Sequence, residues 1–345
     1  MTGDLHTPKS VLVTGGAGFI GANFVEHLLQ SDPNVRVTTL DALTYAGSID
    51  NLAQVISDPR HDFVRGDITD AALVSSLLND RSIDTIIHFA AESHVDRSIT
   101  GPAAFITTNV VGTFTLLEAA RNAWLGTRKR SDVRFHHVST DEVFGSLTES
   151  DPPFCETTAY DPNSPYSASK AGSDHLVRAY QHTYGLPVTV TNCSNNYGPY
   201  QHAEKFIPTV IRSALGEQPI PIYGAGLNIR DWLYVADHCT AIDAVVRRGR
   251  VGQTYLIGGR SEKRNIDIAG QICGILDEKV PRKSGSYADL LTYVTDRLGH
   301  DFRYAIDCSL IESDLGWHAA ETFETGIRKT VDWYLSNPDH LKRQQ

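Results

Sequence analysis

Short apolar runs alternate with segments of helical spacing along the first 190 residues. The runs are rich in Val, Ile, Thr and Phe, and they predict β-strands at Ser10–Thr14, Val35–Leu40, Asp62–Val64, Thr85–Ala90, Phe135–Val138 and Pro187–Thr191. The segments between them repeat apolar residues at helical spacing and predict helices at Asn23–Gln30, Ala71–Leu78, Thr107–Trp124 and Ser167–Tyr184. This alternation predicts a parallel sheet covered on both faces, with ligands bound at the carboxyl ends of the strands.

The regular alternation ends near Asn195. The following part is rich in Gly, Pro and Tyr, notably in residues 197–200, 218–226 and 258–265. Two helices are predicted between these loops, at Phe206–Leu215 and Asp237–Arg248. We therefore predict an α/β fold: a Rossmann-type doubly wound parallel sheet with a smaller, interleaved C-terminal lobe that binds the substrate.

Composition narrows the class of protein. The 345 residues are 41% hydrophobic and 21% charged, which suits a globular fold with a sizeable core. The net charge of −10 disfavours a nucleic-acid partner. The chain has no uninterrupted run of about 18 apolar residues, so no membrane span is predicted, and the first ten residues lack the apolar core of a signal peptide. Five cysteines without a CxxC pair, and no cluster with metal-ligand spacing, predict a reduced, cytoplasmic protein without a metal site.

A glycine-rich turn joins the first predicted strand to the first predicted helix. Residues 11–21 read VLVTGGAGFIG, which fits both G-x-G-x-x-G and G-x-x-G-x-x-G. Glycine permits the tight turn and lets backbone N–H groups approach a pyrophosphate at the positive end of the helix. Glycines also occur in ordinary turns. Here, however, a strand precedes the turn and a helix follows it, and this context favours dinucleotide binding.

Acidic residues end the next two predicted strands. Asp41 lies 20 residues after Gly21, where a carboxylate binds the hydroxyls of the adenosine ribose. A carboxylate repels a 2′-phosphate, so NAD is favoured over NADP as the cofactor. Asp67 and Ile68 are predicted to flank the adenine, and the alternative for them is an ordinary turn at the end of a strand.

Tyr166 and Lys170 are four residues apart, on one face of a predicted helix. The ordinary pKa of tyrosine is about 10. A nearby ammonium and the positive nicotinamide ring favour the phenolate, which makes Tyr166 a usable base near neutral pH.

Two further acids follow Thr140 at the end of a predicted strand, in the segment HVSTDEVFG. For an isolated pair such as Asp141 and Glu142, a helix N-cap or a solvated turn is the simpler interpretation. Beside a nicotinamide, however, the pair suits a dehydratase, in which one group removes a carbon-bound proton and another protonates the departing hydroxyl.

These features together resemble the extended short-chain dehydrogenase/reductases, whose catalytic group is Ser or Thr, Tyr and Lys. Within them the chain resembles the dTDP-glucose 4,6-dehydratase family over roughly residues 9–335. The resemblance rests on HVSTDEVFG and on AAESHVDRSI, CSNNYGPYQ, EKFIP, RDWLYVADH and DRLGHDFRYAID, which begin at residues 90, 193, 204, 230 and 296. Phe144 and Leu298 depart from the family pattern, which has Tyr and Pro there, and neither change removes a catalytic group.

The resemblance implies a three-step reaction on dTDP-glucose. Tyr166 takes the C4 hydroxyl proton while hydride passes from C4 to NAD⁺, and Thr140 hydrogen-bonds the same oxygen. Glu142 then removes the C5 proton and Asp141 protonates the C6 hydroxyl, so that water leaves. The hydride returns to C6 and a proton is added at C5, which gives dTDP-4-keto-6-deoxy-glucose for deoxysugar biosynthesis.

The resemblance also implies two sets of binding residues. The cofactor set, beyond the catalytic Tyr166 and Lys170, is Gly15, Gly18, Phe19, Ile20, Gly21, Asp41, Ala42, Leu43, Thr44, Asp67, Ile68, Ala90, Ala91, Ser93, His94, Thr108 and Asn196. The substrate set is Ser93, Thr140, Asn195, Lys205, Phe206, Pro221, Ile222, Tyr223, Arg230, Asn265, Arg297, His300 and Tyr304. Arginine suits diphosphate oxygens because its guanidinium can bind two of them at once. Residues 1–195, with later sheet elements from about 230–257, are then the NAD-binding domain, and residues 196–345 are mainly the nucleotide-sugar-binding lobe.

Other functions stay open at this stage. A UDP-sugar dehydratase, an epimerase or a decarboxylase of the same superfamily is the nearest alternative, and the intact Thr-Asp-Glu and Tyr/Lys groups argue against it. A non-catalytic dinucleotide sensor is a more distant alternative, disfavoured because such proteins tend to lose the Tyr/Lys pair. The helices around Thr107–Trp124 and Ser167–Tyr184 resemble those that pair in the family's homodimers, so a homodimer is expected.

Overall fold

A seven-stranded parallel sheet carries the N-terminal part of the protein, in a computed structural model that describes residues 5–126, 130–296 and 300–342. Its strands are β1 Ser10–Thr14, β2 Arg36–Asp41, β3 His61–Arg65, β4 Thr85–His88, β5 Arg134–Thr140, β6 Val188–Cys193 and β10 Thr254–Ile257. Their order is β3-β2-β1-β4-β5-β6-β10, and every neighbouring pair is parallel. The order reverses between β1 and β4, and this switch point is where a doubly wound sheet opens a crevice for ligands.

Helices cover both faces of the sheet, as the sequence predicts. They are α1 Phe19–Ser31, α2 Ala71–Asp80, α3 Val95–Thr100, α4 Pro102–Phe105, α5 Thr113–Leu125, α6 Pro165–Tyr184 and α8 Val235–Arg248. One core layer joins the sheet to α1 and α8, with Phe24, Val25 and Ile242 fully buried. The other joins it to α2 and α5, where Leu77 and Leu116 pack. The Rossmann-type prediction is confirmed.

A smaller lobe is built from the later part of the chain. Its strands are β7 Asn195–Tyr197, β8 Ile220–Tyr223, β9 Ile229–Tyr234, β11 Glu262–Arg264 and β12 Leu291–Val294, paired as β11-β9-β7 and β12-β8. Its helices are α7 Phe206–Leu215, α9 Asn265–Lys279, α10 Ser309–Leu315, α11 Phe323–Ser336 and α12 Asp339–Lys342. A separate apolar cluster of α7, α9 and α11 holds this lobe together. Since β10 and α8 pack on the large sheet, the chain passes between the two parts more than once.

The predicted helix at Thr107–Trp124 is longer and less regular than expected. It begins with α4 at Pro102, passes through a π-helix at Ile106–Gly112 and continues as α5 to Leu125. The whole stretch, Pro102–Leu125, is long and apolar enough to cross a membrane, whereas the sequence analysis found no such segment. Half of its most apolar window is buried inside the fold, where it packs against α2 and α6.

Candidate active site

The glycine turn after β1 is closed by contacts that leave no room for side chains. Gly15 has a φ of +69°, and a Cβ built on it would lie 2.6 Å from the backbone N of Ala90. A Cβ on Gly21 would lie 2.2 Å from the carbonyl oxygen of Gly15. The turn therefore brings backbone directly to the start of α1, whose N-cap, Gly18, makes no side-chain cap bond. Free N–H groups at a helix N-terminus are a binding site for a phosphate.

Asp41 supports the same turn from the end of β2. Its Oδ2 accepts a hydrogen bond from the N–H of Ala17 at 2.9 Å, and its Oδ1 accepts one from Leu43 at 2.8 Å. Burial raises the pKa of Asp41, and these two N–H groups oppose the shift. The carboxylate thus fixes two loops and still faces the cavity, with lone pairs left for ribose hydroxyls.

One cavity runs from the glycine turn across the ends of β1 and β4 to the ends of β5 and β6. It gathers most of the predicted cofactor set: Gly15, Gly18, Phe19, Ile20, Gly21, Asp41, Ala42, Thr44, Asp67, Ile68, Ala90, Ala91, Ser93, His94, Thr108, Tyr166, Lys170 and Asn196. Leu43, with a φ of +54°, is the one member of that set outside the cavity wall, and it packs against the core beneath the sheet. The five predicted catalytic residues all line the other end.

Thr140 ends β5 and begins a 3₁₀ turn at Asp141–Phe144. Its Oγ1 accepts the N–H of Glu142 at 3.3 Å and donates to Oδ1 of Asp141 at 3.3 Å. Thr140 is thus the N-cap, and the N-cap interpretation of Asp141 and Glu142 is wrong, since both lie inside the turn. The same cap holds both acids in the wall of the cavity.

The two acids differ in environment. Asp141 is only 2% exposed, and its Oδ2 accepts no hydrogen bond within the described residues. Burial, then the charges of Glu142 and Asp231, raise its pKa well above the usual value, which favours the protonated carboxyl. Glu142 is half-buried and lies on the cavity wall. A protonated acid beside a more exposed carboxylate is an arrangement that can donate one proton and accept another.

Tyr166 and Lys170 lie one turn apart on α6, as predicted. The helix is fixed at its start by a capping box between Ser164 and Ser167 and ends at Gly185 in the left-handed region. Lys170 Nζ donates to the carbonyl of Val138 at 2.9 Å.

The ionisation of Tyr166 differs from the expectation. Burial, followed by the charge of Glu142, raises its pKa well above the ordinary value, and a hydrogen bond with Thr140 acts in the opposite direction. The protein alone therefore holds the phenol protonated. Formation of the phenolate therefore depends on the other influence that the sequence predicts, the positive charge of an oxidised nicotinamide beside Tyr166.

The predicted substrate set is divided. Ser93, Thr140, Asn195 and Lys205 meet in the cavity, where Lys205 Nζ donates to the carbonyl of Ser93 at 3.0 Å. The rest lie outside the cavity wall, except Arg297, which is outside the described residues: Phe206, Pro221, Ile222, Tyr223, Arg230, Asn265, His300 and Tyr304. Ile222 is a core residue of the smaller lobe.

Arg230, which is predicted to bind the substrate, already makes several contacts within the protein. Its guanidinium lies 4.2 Å from the centre of the Tyr304 ring. NH1 donates to the carbonyls of Ile229 and Phe302 at 2.7 and 3.1 Å, and NH2 donates to that of Asp301 at 2.8 Å. The positive charge of Arg230 opposes the rise in the pKa of Asp141, so Arg230 lies close to the predicted catalytic acids.

Sequence reasoning missed several residues of the cavity wall: Tyr45, Ser139, Cys193, Ser194, Gln201 and His202. Ser139 is the last residue but one of β5, and Ser194 directly follows β6, so the rule that ligands sit at the carboxyl ends of strands could have found both. Both hydroxyl groups are buried, and that of Ser139 makes no hydrogen bond within the described part of the chain. Tyr45 and His202 meet edge to face across the cavity mouth, and no local pattern announces that contact.

The chain has close relatives of known name. The family model described as GDP-mannose 4,6 dehydratase matches residues 12–330. A protein of Xanthomonas campestris named dTDP-glucose 4,6-dehydratase is 58% identical over 94% of this chain and 93% of its own length. One of Salmonella typhimurium with the same name is 56% identical over 95% and 93%.

A solved structure matches in shape as well. The dTDP-glucose 4,6-dehydratase DesIV of Streptomyces venezuelae, crystallised with NAD and TYD bound, superposes with a TM-score of 0.87 at 47% identity, over 96% of this chain and 98% of that one. Agreement over nearly the full length of both chains covers the large sheet and the smaller lobe together.

Proposed function

We propose that this chain, which belongs to the dTDP-glucose 4,6-dehydratase family, dehydrates dTDP-glucose to dTDP-4-keto-6-deoxy-glucose. The observation that carries the proposal is one cavity end that holds both a Tyr/Lys pair and an acid pair of unequal environment. A dehydrogenase needs only the first pair, and a dehydratase without a redox step needs only the second. The product feeds deoxysugar biosynthesis in the cytoplasm.

The cavity residues fit NAD. The turn at Gly15 and Gly21 is a cradle that any Cβ would fill, and the Asp41 carboxylate faces the place of the ribose. When bound, NAD accepts hydride from C4 of the sugar and returns it to C6, so that no external reductant is consumed. The remaining cofactor contacts are those that line the same cavity, with Asp67 and Ile68 at the end of β3 on the adenine side.

Each catalytic side chain has a separate task. Tyr166, ionised when an oxidised nicotinamide lies beside it, receives the proton of the C4 hydroxyl, and Thr140 holds that oxygen by a hydrogen bond. Glu142, the more exposed acid, removes the C5 proton once C4 is a ketone. Asp141 supplies its proton to the C6 hydroxyl, which leaves as water. The raised pKa of Asp141 supports this division, since a carboxyl that is already ionised has no proton to give.

Product analysis tests the proposal directly. Purified protein is incubated in parallel with dTDP-glucose, UDP-glucose and GDP-mannose, and the products are identified by NMR. We expect a 4-keto-6-deoxy sugar from dTDP-glucose and the slowest turnover from GDP-mannose. A C4 epimer would indicate the epimerase alternative, and absence of turnover with any nucleotide hexose would favour the sensor alternative.

A homodimer is the second part of the proposal. The stretch from α4 to α5 leaves Ile106, Val111 and Phe114 exposed by 45% to 49%. Tyr184, at the end of the neighbouring α6, is exposed by 49%. Apolar side chains grouped on adjacent helices favour a protein partner, and a second copy of the chain presents the same face.

Phe114→Glu should convert the dimer to a monomer, because a charge at the centre of an apolar contact has no partner there. Light scattering at micromolar concentration should give half of the parent's molar mass. Val280→Glu is the matched control, since Val280 is 42% exposed at the end of α9 in the smaller lobe. A monomeric parent, or a dimeric Phe114→Glu variant, would contradict the proposed interface.

A further inference from the structure

A fully buried carboxylate lies on α6, one turn beyond Lys170. Asp174 follows Lys170 by four residues and Tyr166 by eight, so the three side chains form a row along one face of the helix. The side chain of Asp174 has no exposed surface. None of the steps proposed above uses it.

Asp174 joins three elements that carry the catalytic group. Its Oδ1 accepts Nε2 of His137 on β5 at 3.0 Å. Its Oδ2 accepts the hydroxyl of Tyr160 at 2.7 Å and Nδ2 of Asn192 on β6 at 3.1 Å. The same amide of Asn192 donates to the carbonyl of Thr140 at 3.0 Å. Through Asn192 the carboxylate is thus connected to the end of β5, where Thr140 is followed by Asp141 and Glu142.

The groups around Asp174 favour its ionised form, so that it is an anion near Lys170. Burial opposes its charge, yet its pKa lies below the ordinary value because His137, Lys170 and Tyr160 favour the ionised form. Burial lowers the pKa of His137 to about 4, so at neutral pH the imidazole is an uncharged donor. Tyr160 stays protonated, since burial raises its pKa, and its oxygen accepts a hydrogen bond from Arg178 at 2.7 Å.

Lys170 is 5% exposed and lies one turn before Asp174 on α6. No carboxylate of the described residues lies within 4 Å of its ammonium, so Asp174 acts on it through space across one helical turn. Burial lowers its pKa, and Asp174 is the largest influence that raises it. The other titratable groups near the ammonium are the neutral His88 on β4, His137 on β5 and the thiol of Cys193 on β6. Burial raises the pKa of Cys193 to about 12, so that thiol carries no charge at neutral pH.

We propose that Asp174 is a positioning residue: it is the buried counter-ion that keeps Lys170 charged beside Tyr166 and, through Asn192, holds the end of β5 in place. The inference rests on the proposed function, because its kinetic test uses dTDP-glucose. Asp174 does not reach the cavity, and it acts only through Lys170 and Thr140.

The charge balance fixes the direction of the effect. Before ionisation the Tyr166/Lys170 pair carries one positive charge, and after loss of one proton it carries none. A buried anion next to the pair opposes that loss, so removing the anion lets the proton leave at lower pH. Without Asp174, however, the proton leaves Lys170 as readily as Tyr166, and less of the pair reaches the form with phenolate and ammonium.

Asp174→Asn tests this inference, because it keeps the shape of the side chain and removes its charge. The pH dependence of kcat is measured with saturating dTDP-glucose, and bound NAD is measured after denaturation. We expect the acid limb to move down by about one pH unit or more and the plateau to fall by about tenfold or more, with NAD content and KM little changed. An acid limb that stays in place or moves up would overturn the inference.

Tyr160→Phe is the matched control, since it removes one hydrogen bond to Asp174 and leaves the charge. It should lower the plateau at most, without moving the acid limb. The ¹⁵Nζ resonance of Lys170 in the parent protein gives a test that needs no Asp174 variant to fold. An ammonium at pH 8 supports the counter-ion role, and a neutral amine overturns it. A parent that does not turn over dTDP-glucose would contradict the proposed function, whereas the resonance would still test the counter-ion.

Discussion

Glu142→Gln should abolish dehydration of dTDP-glucose while leaving the first oxidation in place. In the proposed mechanism the Glu142 carboxylate is the base for the C5 proton, and a glutamine of the same shape cannot accept it. Exchange of the C5 hydrogen with heavy water should fall by ~10²–10⁴-fold, the usual contribution of a positioned base. Mass spectrometry of the recovered sugar nucleotide measures this exchange directly.

The effect of this substitution should be specific to one step. The charge of Glu142 raises the pKa of both Asp141 and Tyr166, so its removal eases ionisation of the tyrosine rather than hindering it. Oxidation at C4 should therefore persist, seen as NADH absorbance on mixing with substrate. Glu149→Gln is the matched control, because Glu149 is an exposed residue outside the cavity wall. Unchanged C5 exchange in Glu142→Gln would remove Glu142 from this role.

Asp141→Asn should affect the other half of the elimination. The amide cannot donate the acid proton, so loss of the C6 hydroxyl slows while some C5 exchange continues. Both variants together separate the base from the acid, which a single loss of activity could not do.

The sheet was predictable because its strands are defined by local composition. The Val- and Thr-rich run at Ser10–Thr14 matches β1 residue for residue, and the periodic segment Phe206–Leu215 matches α7. The predicted strand Thr85–Ala90 is shorter in the structure, where β4 ends at His88. Beyond it the backbone turns toward Gly15, a contact between distant segments that no local pattern contains.

The π-helix shows a second limit of the sequence. Apolar spacing through Ile106–Gly112 still fits an α-helix, so the pattern predicts the helix but not its widened turn. The carbonyl of Asn109, inside that turn, accepts hydrogen bonds from the hydroxyls of Thr113 and Ser173 at 2.6 Å each. Ser173 lies 64 residues further on in α6, and only the tertiary fold brings it there.

The same distinction between local motifs and contacts of distant segments applies to the candidate site. Residues in contiguous motifs, such as Thr140, Asp141 and Glu142, were found because strand end and chemistry coincide. The bonds of Arg230 to backbone carbonyls, and the place of Asp174 behind Lys170, were not found. Both depend on partners from separate elements, and an arginine or aspartate in the sequence gives no sign of whether it is buried.

Gly21→Ala should empty the protein of NAD. A Cβ at this position would lie 2.2 Å from the carbonyl oxygen of Gly15 and 2.8 Å from Cα of Gly16, and both are backbone atoms that no rotamer change can move. The turn must open, which shifts the N–H groups that face the cofactor phosphates. A shift of about 1 Å in such a contact costs ~10²-fold in activity. We expect little NAD in the supernatant of the denatured variant, against about one per chain from the parent.

Gly270→Ala separates this steric effect from the general effect of the substitution. Gly270 lies within α9, and a Cβ there meets no atom within 4 Å. In a helix interior the change from glycine to alanine is favourable by about 1 kcal/mol, so this variant should keep its NAD and melt slightly later than the parent. If Gly21→Ala also keeps its NAD, the turn is not the phosphate cradle that the packing around Gly15 indicates. NADP as the main bound species would instead contradict the role of Asp41, because a carboxylate near the ribose repels a 2′-phosphate.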